Sequence, residues 1–358
     1  SSAPTETFPN RSFIHAGTSS GYVYNSWGSL LDLDKGVLIN HTPTVYNVLQ
    51  GAGVPWRIYH GGPLFLCGAL VTQEKLWDLA FSDRFANMWQ FYADAATGQL
   101  PAYSFIEPCF INSREYGPEN DMHPSYFPTL LDMGMGISNV LQGEVLLYQI
   151  YEALRNSPAW DRTLLVITFD EHGGCFDHVA PPNTVSPDGV VVPRDRPGGS
   201  GFDFERLGVR VPGILVSPWI EEGSVFHTHL DHTSVIRSVF ECFGVCGPDG
   251  GPATLLNREA QANSLSGALN RTEPRTDRPV IHPRPLPPFQ PHAADERMGH
   301  FQLSLVRAAH THAGYQSTRH PSLHGLAELL HGAVDRIDTR QDAVSHFRDA
   351  EEHLRKRP

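Results

Sequence analysis

The chain has 358 residues, 40% of them hydrophobic and 18% charged, and a formal net charge of -12. That length and balance suit one large α/β domain, alone or with an appendage, and exclude a disordered chain. The acidic surplus argues against a nucleic-acid partner, and no apolar run is long enough to cross a bilayer. Ser1-Ser2-Ala3-Pro4 carries no charged-then-apolar leader. The five cysteines, Cys67, Cys109, Cys175, Cys242 and Cys246, leave one unpaired if disulfides form. Cys242 and Cys246 are close enough to share a helix face or clip a loop. The general tendency of free Cys predicts buried thiols.

Residues 1–30 are polar and turn-rich, with Ser19-Ser20-Gly21 and Trp27-Gly28. Thr42-Pro43 reads as a helix cap followed by Pro in the first turn, and Val45, Val48 and Leu49 give that helix an apolar face. Gly51-Ala52-Gly53 ends it, and Pro55 to Tyr59 follows as a short strand. A helix is expected from Arg84 to Ala93, then a strand at Tyr103-Ser104-Phe105-Ile106 stopped by Pro108. Apolar residues at helical spacing from Ile137 to Leu154 predict a long amphipathic helix over 137–156. Thr163 to Phe169 is a continuous apolar, β-branched run that suits a central parallel strand covered on both faces, and Gly213 to Ser217 is a second such run. The Pro/Gly/Asp-rich stretch 180–203 between them reads as a long surface excursion. Residues 1–270 thus form one α/β domain. Pro283, Pro285, Pro287, Pro288 and Pro291 stiffen a linker at 271–295, and polar helices (Leu303 to His310, Leu323 to Ile337, Ala343 to Leu354) make a small C-terminal segment at 296–358.

Open α/β sheets bind ligands at the carboxyl ends of their strands. There the chain reads Phe169-Asp170-Glu171-His172-Gly173-Gly174-Cys175-Phe176-Asp177-His178. Adjacent carboxylates suit a hard or borderline divalent ion, and the glycines let the backbone turn close to a ligand. Two further His-bearing loops are Asn120-Asp121-Met122-His123-Pro124 and His227-Thr228-His229-Leu230-Asp231-His232. In the second, Asp231, Thr233 or Ser234 is expected to cap the helix Val235 to Phe243, which leaves His227 as the substrate-binding candidate. Thr7-Phe8-Pro9-Asn10-Arg11 offers a hydroxyl that needs a metal or a base to act as a nucleophile.

Thr7-Phe8-Pro9-Asn10-Arg11, Gly53-Val54-Pro55-Trp56, Tyr103-Ser104-Phe105-Ile106-Glu107-Pro108, Asn120-Asp121-Met122-His123-Pro124, Thr168-Phe169-Asp170-Glu171-His172-Gly173-Gly174 and Asp231-His232-Thr233-Ser234 occur in this order. Together they resemble the phosphoesterase family that contains bacterial non-haemolytic phospholipases C and related acid phosphatases, over roughly residues 5–245. The resemblance implies an alkaline-phosphatase-like fold, with a central mixed, mostly parallel sheet flanked by helices. It implies Thr7 as a nucleophile bound to one divalent metal ion of unknown identity, with Asp170 and Glu171 as further ligands. It assigns His123 to the phosphoryl group and leaves His172 and His178 to orient the carboxylates. The implied reaction is hydrolysis of a phosphate ester, a phospholipid among the candidates, through a phosphothreonine intermediate. Exported relatives imply a secreted or periplasmic location.

One departure matters. Family members carry an early Glu-Asn-x-Ser-Phe-Asp segment that completes the metal site, and here Pro9-Asn10-Arg11-Ser12-Phe13 mimics only part of it. Three readings stay open: a chain incomplete at its N-terminus, other ligands such as His15, or a relative that binds metal or phosphate without turnover. A sulfatase-like reading of Thr7-x-Pro9-x-Arg11 ranks low, because that group needs Cys or Ser at the first position.

Overall fold

The computed structural model describes residues 1–25, 40–80, 82–124, 140–195, 200–283, 285, 298–317 and 337–355. Trp27-Gly28, Ile137, part of the 180–203 excursion, Pro287, Pro288, Pro291 and the helix expected from Leu323 lie outside them, save for its last residue, Ile337. In chain order the elements are α1 (Thr7–Ala16), α2 (Val45–Gly51), β1 (Trp56–His60), α3 (Gly68–Thr72), β2 (Phe85–Asn87), α4 (Met88–Thr97), β3 (Tyr103–Glu107), α5 (Val140–Arg155), β4 (Leu165–Thr168), β5 (Gly213–Val216), α6 (Thr233–Cys242), α7 (Asn257–Gln261), α8 (His300–Ser317) and α9 (Arg340–Arg355). They divide into two compact units: Ser1–Trp56, Asp94–Tyr103 and Leu154–Val280 form the first, and the rest forms the second.

The architecture is the expected α/β class, a parallel sheet accompanied by helices. Strand order in the larger sheet is β2-β1-β3, and β1 runs parallel to β2 with Ile58 opposite Phe85 and His60 opposite Asn87. Within the second unit, Tyr59 meets Phe91 edge-on and Phe65 stacks on Trp77. The C-terminal helices are bonded into this unit: Gln341 accepts the Arg114 N–H at 2.9 Å, and Gln302 donates to buried Glu119 at 2.6 Å.

Four local expectations are corrected. Residues 7–16 form a helix, not turns. Pro9 sits in its first turn, where a missing N–H costs nothing, and Gly17 ends it at φ 75° with its N–H on the Phe13 carbonyl. The cap of α2 is Thr44, two residues beyond Thr42; its side chain and that of Asn47 each accept the other's backbone N–H. The helix expected from Arg84 begins only at Met88, because Asn87 accepts the Gln90 N–H and β2 precedes it. The run Thr163 to Phe169 is not a parallel strand covered on both faces. β4 pairs antiparallel with β5, Val166 opposite Leu215, and its residues are half-buried. An apolar run encodes burial on average, and carries nothing about the direction of the neighbouring strand.

The first unit packs Ala3, Phe13, Val23 and Phe204 into a buried cluster beside α1. Gly208 lies under that N-terminal segment, donating its N–H to the Ser1 carbonyl at 3.1 Å. A Cβ there would collide with the Ala3 carbonyl oxygen and stand 2.7 Å from its carbon. Backbone cannot swing aside as a side chain can, so Gly208→Ala is expected to lower stability by about 1–3 kcal/mol. A urea midpoint unchanged from wild type would contradict this.

Candidate active site

β4 delivers Asp170 and Glu171 to its carboxyl end. Asp170 Oδ1 accepts the Glu171 N–H at 3.0 Å, and Glu171 Oε2 accepts the Gly173 N–H at 2.8 Å. That second bond needs a sharp turn, and Gly173 (φ 59°) and Gly174 (φ 73°) supply it in the left-handed region open to glycine. Burial pushes the Asp170 carboxyl above the usual range; the Arg11 charge opposes this and Glu171 adds to it.

Thr7 opens α1 and is 7% exposed. Its surroundings are clamped by Asn10, which is fully buried. The Asn10 amide donates to the carbonyls of Ala3, Thr5 and Glu6 at 3.0 to 3.2 Å, and its oxygen accepts the Ala3 N–H at 3.0 Å. Asn25 adds a bond to the Phe8 N–H at 2.7 Å, and Glu6 accepts the Asn25 N–H at 2.6 Å. Arg11 follows Thr7 by about one helical turn, which puts a cation on the helix that carries the hydroxyl.

His232 joins the two segments. It is 4% exposed; Nε2 lies 2.9 Å from the Phe169 carbonyl oxygen and Nδ1 lies 3.0 Å from Ser2 Oγ. The sequence does not single out this histidine, which sits at a helix start where neighbouring Asp231 accounts for the motif. Asp231 does accept the Thr233 N–H at 2.9 Å and the Thr233 hydroxyl. Arg258, 2% exposed, lies beyond it and binds the carbonyls of Ser2, Val185 and Phe204.

The other sequence candidates fare differently. His172 Nδ1 lies 3.4 Å from Glu171 Oε2, beside the carboxylate it was expected to orient. His178 is turned to solvent and its near carboxylate is Asp177, which Arg210 already holds through bonds of 2.7 and 2.8 Å; it does not touch Asp170 or Glu171. His227 is exposed. His123 belongs to the second unit, where its Nδ1 lies 2.9 Å from the Pro124 carbonyl. His15 is fully buried with Nδ1 3.1 Å from the Tyr46 hydroxyl, an interior position rather than an open ligand. The five cysteines are thiols rather than disulfides. Cys67 and Cys109 are buried as expected; Cys175, Cys242 and Cys246 are exposed.

The model of the phosphoesterase family matches residues 1–246. The chain belongs to that family. Among similar phosphoesterases, it is 34% identical to non-specific phospholipase C3 of Arabidopsis thaliana, over 86% of this chain and 56% of that protein. It is 30% identical to phospholipase C B of Mycobacterium tuberculosis, over 68% and 48%. It is 28% identical to non-hemolytic phospholipase C of Pseudomonas aeruginosa, over 76% and 40%. The chain spans about half the length of the curated relatives it matches.

Whether this phosphoesterase's residues suit a divalent ion turns on the donors present. Two adjacent carboxylates and a hydroxyl are hard oxygen donors, and a desolvated Asp170 gains from a cation. Among the described residues, no group of three or more His, Cys, Asp or Glu side chains is gathered to hold a metal. Asp170 and Glu171 thus make at most a partial shell.

The buried imidazoles set a pH dependence. Burial, then the Arg11 and His232 charges, pushes His15 well below its ordinary 6.5. Burial, then the N-terminal ammonium, brings His232 down to about 4. The unfolded chain thus binds these protons first, so stability falls as pH drops below about 6.5, and the His232 contribution levels off below about 4. Urea midpoints at several pH values between 7.5 and 5 are expected to decline; a flat profile would contradict the assignment.

Proposed function

We propose that this phosphoesterase hydrolyses phosphate esters with Thr7 as nucleophile, and that Asp170 and Glu171 hold one divalent ion beside it. The observation that carries this reading is the Asp170 carboxyl. It is desolvated, beside a second carboxylate, and within the field of an arginine on the helix that begins at Thr7. Cations and a hydroxyl in a common field are what an in-line attack on phosphorus requires.

Bound to the carboxylates, a divalent ion would supply positive charge that favours the ionised hydroxyl and balances the charge of the transferring group. The chain's own part is positional. The Asn10 clamp holds the backbone before Thr7, so that its oxygen attacks phosphorus as the ester oxygen leaves with a proton. Water then cleaves the phosphothreonine and returns the Thr7 hydroxyl. Arg11 adds a fixed positive charge for the phosphoryl oxygens. The phospholipase C relatives make phospholipids the substrate class of choice, and a secreted or periplasmic location goes with that substrate.

The partial shell favours a second reading, a domain that binds metal or phosphate without turnover. Turnover of p-nitrophenyl phosphate, p-nitrophenyl phosphorylcholine and p-nitrophenyl sulfate with added Mn²⁺, Mg²⁺ or Zn²⁺ separates the two. Thr7→Ala is expected to reduce metal-dependent phosphoester turnover by about 10³-fold or more. Undiminished turnover in Thr7→Ala would remove the nucleophile assignment. Metal binding with no turnover in the wild type would establish the second reading.

A further inference from the structure

We propose that His232 is a positioning residue that sets the acidic end of β4 against the segment leading into Thr7, through one imidazole tautomer. This rests on the reading of Asp170 as a working carboxylate.

The proton inventory is closed. The Phe169 carbonyl can only accept, so the His232 Nε2 at 2.9 Å carries the proton. Nδ1 is then a lone pair, and the Ser2 hydroxyl at 3.0 Å donates to it. The same Ser2 oxygen accepts the backbone N–H of His232 at 3.2 Å. No donor in this set is left over, and burial at 4% exposure keeps water from substituting.

Each bond acts on a different half of the site. The Phe169 carbonyl and the Asp170 N–H belong to one peptide plane, so a donor on that carbonyl fixes the direction in which Asp170 leaves the strand. Ser2 precedes Ala3, which is held from both its N–H and its carbonyl by Asn10 of α1. A single ring therefore ties the acidic loop to the helix that carries the hydroxyl. A histidine serving only as packing would need neither nitrogen in particular.

Amide substitutions separate the two nitrogens, since a Gln nitrogen reaches the Nε2 position and an Asn oxygen reaches the Nδ1 position. His232→Gln keeps the bond to Phe169, and His232→Asn keeps the bond to Ser2. With p-nitrophenyl phosphorylcholine, kcat is expected to fall by about 10–100-fold in His232→Asn and about tenfold less in His232→Gln, with KM nearly unchanged in both. Mn²⁺ affinity measured by calorimetry on the metal-free proteins should follow the same order. Equal losses in the two variants, or losses that track melting temperature alone, would overturn the proposal. If the wild type neither binds Mn²⁺ nor turns over, the functional reading falls by itself. The positioning claim is then read from the Asp170 amide resonance, which should move further in His232→Asn than in His232→Gln; equal movement overturns it.

Discussion

Asp170→Asn is expected to abolish metal-dependent turnover and, at the same time, to raise the melting temperature of the metal-free protein. The two effects have one cause. Burial disfavours the charged form of Asp170 and neighbouring Glu171 adds to this, so an ionised carboxylate there is costly to the fold without a cation. An amide keeps the size and can still accept the Glu171 N–H at 3.0 Å, but carries no charge to desolvate and little affinity for a hard cation. Turnover should drop on the order of 10³-fold, as for other groups that act as a unit at a reacting centre. Asp177 is the internal contrast. It is half-buried, and its bonds to Arg210 hold its carboxyl well below the usual range. Asp177→Asn should therefore gain no stability. Differential scanning calorimetry and the p-nitrophenyl assays on both variants test the contrast. A lower melting temperature for metal-free Asp170→Asn would show that the carboxylate is stabilising and not held at a cost.

Arg258→Met is expected to cost about 3–5 kcal/mol, because it breaks a buried charge pair and leaves acceptors unsatisfied. The guanidinium donates to Val185 at 2.9 Å, to Ser2 at 2.7 Å and to Phe204, and it sits over the Phe13 ring, 4.8 Å from its centroid. Its charge also faces Asp231, with 3.9 Å between nitrogen and oxygen. Methionine fills the apolar stem and bonds none of these carbonyls. Arg258→Lys should recover only a small part of the loss, since one ammonium cannot reach carbonyls that lie in the different directions a planar fork serves. Chemical unfolding of the three proteins tests this; a lysine variant close to wild type in stability would show that charge, not geometry, matters at this position.

Much of the fold was legible because local physics produced it. The strands at 56–60, 103–107 and 213–216 and the helix at 140–155 follow from apolar periodicity and from Gly and Pro at their ends. The Asp170–Glu171 loop was legible too, since two carboxylates followed by two glycines can scarcely be anything but a turn with charge in it. Helix α1 was hidden by its own burial. Thr7, Asn10, Ser12 and His15 make it look like polar loop, whereas inside the protein Asn10 bonds to the Ala3 backbone and His15 lies against the Tyr46 hydroxyl.

By itself the chain determined the α/β class, the family membership and the acidic turn at the end of β4, because each depends on residues adjacent or periodically spaced in sequence. Tertiary structure decided the antiparallel pairing of β4 with β5, the solvent exposure of His178 and His227, and the use of His232 and Arg258. Those depend on partners far along the chain, such as Ser2 with His232. A buried histidine or arginine takes its role from the carbonyl that happens to face it, and composition and spacing carry no record of that.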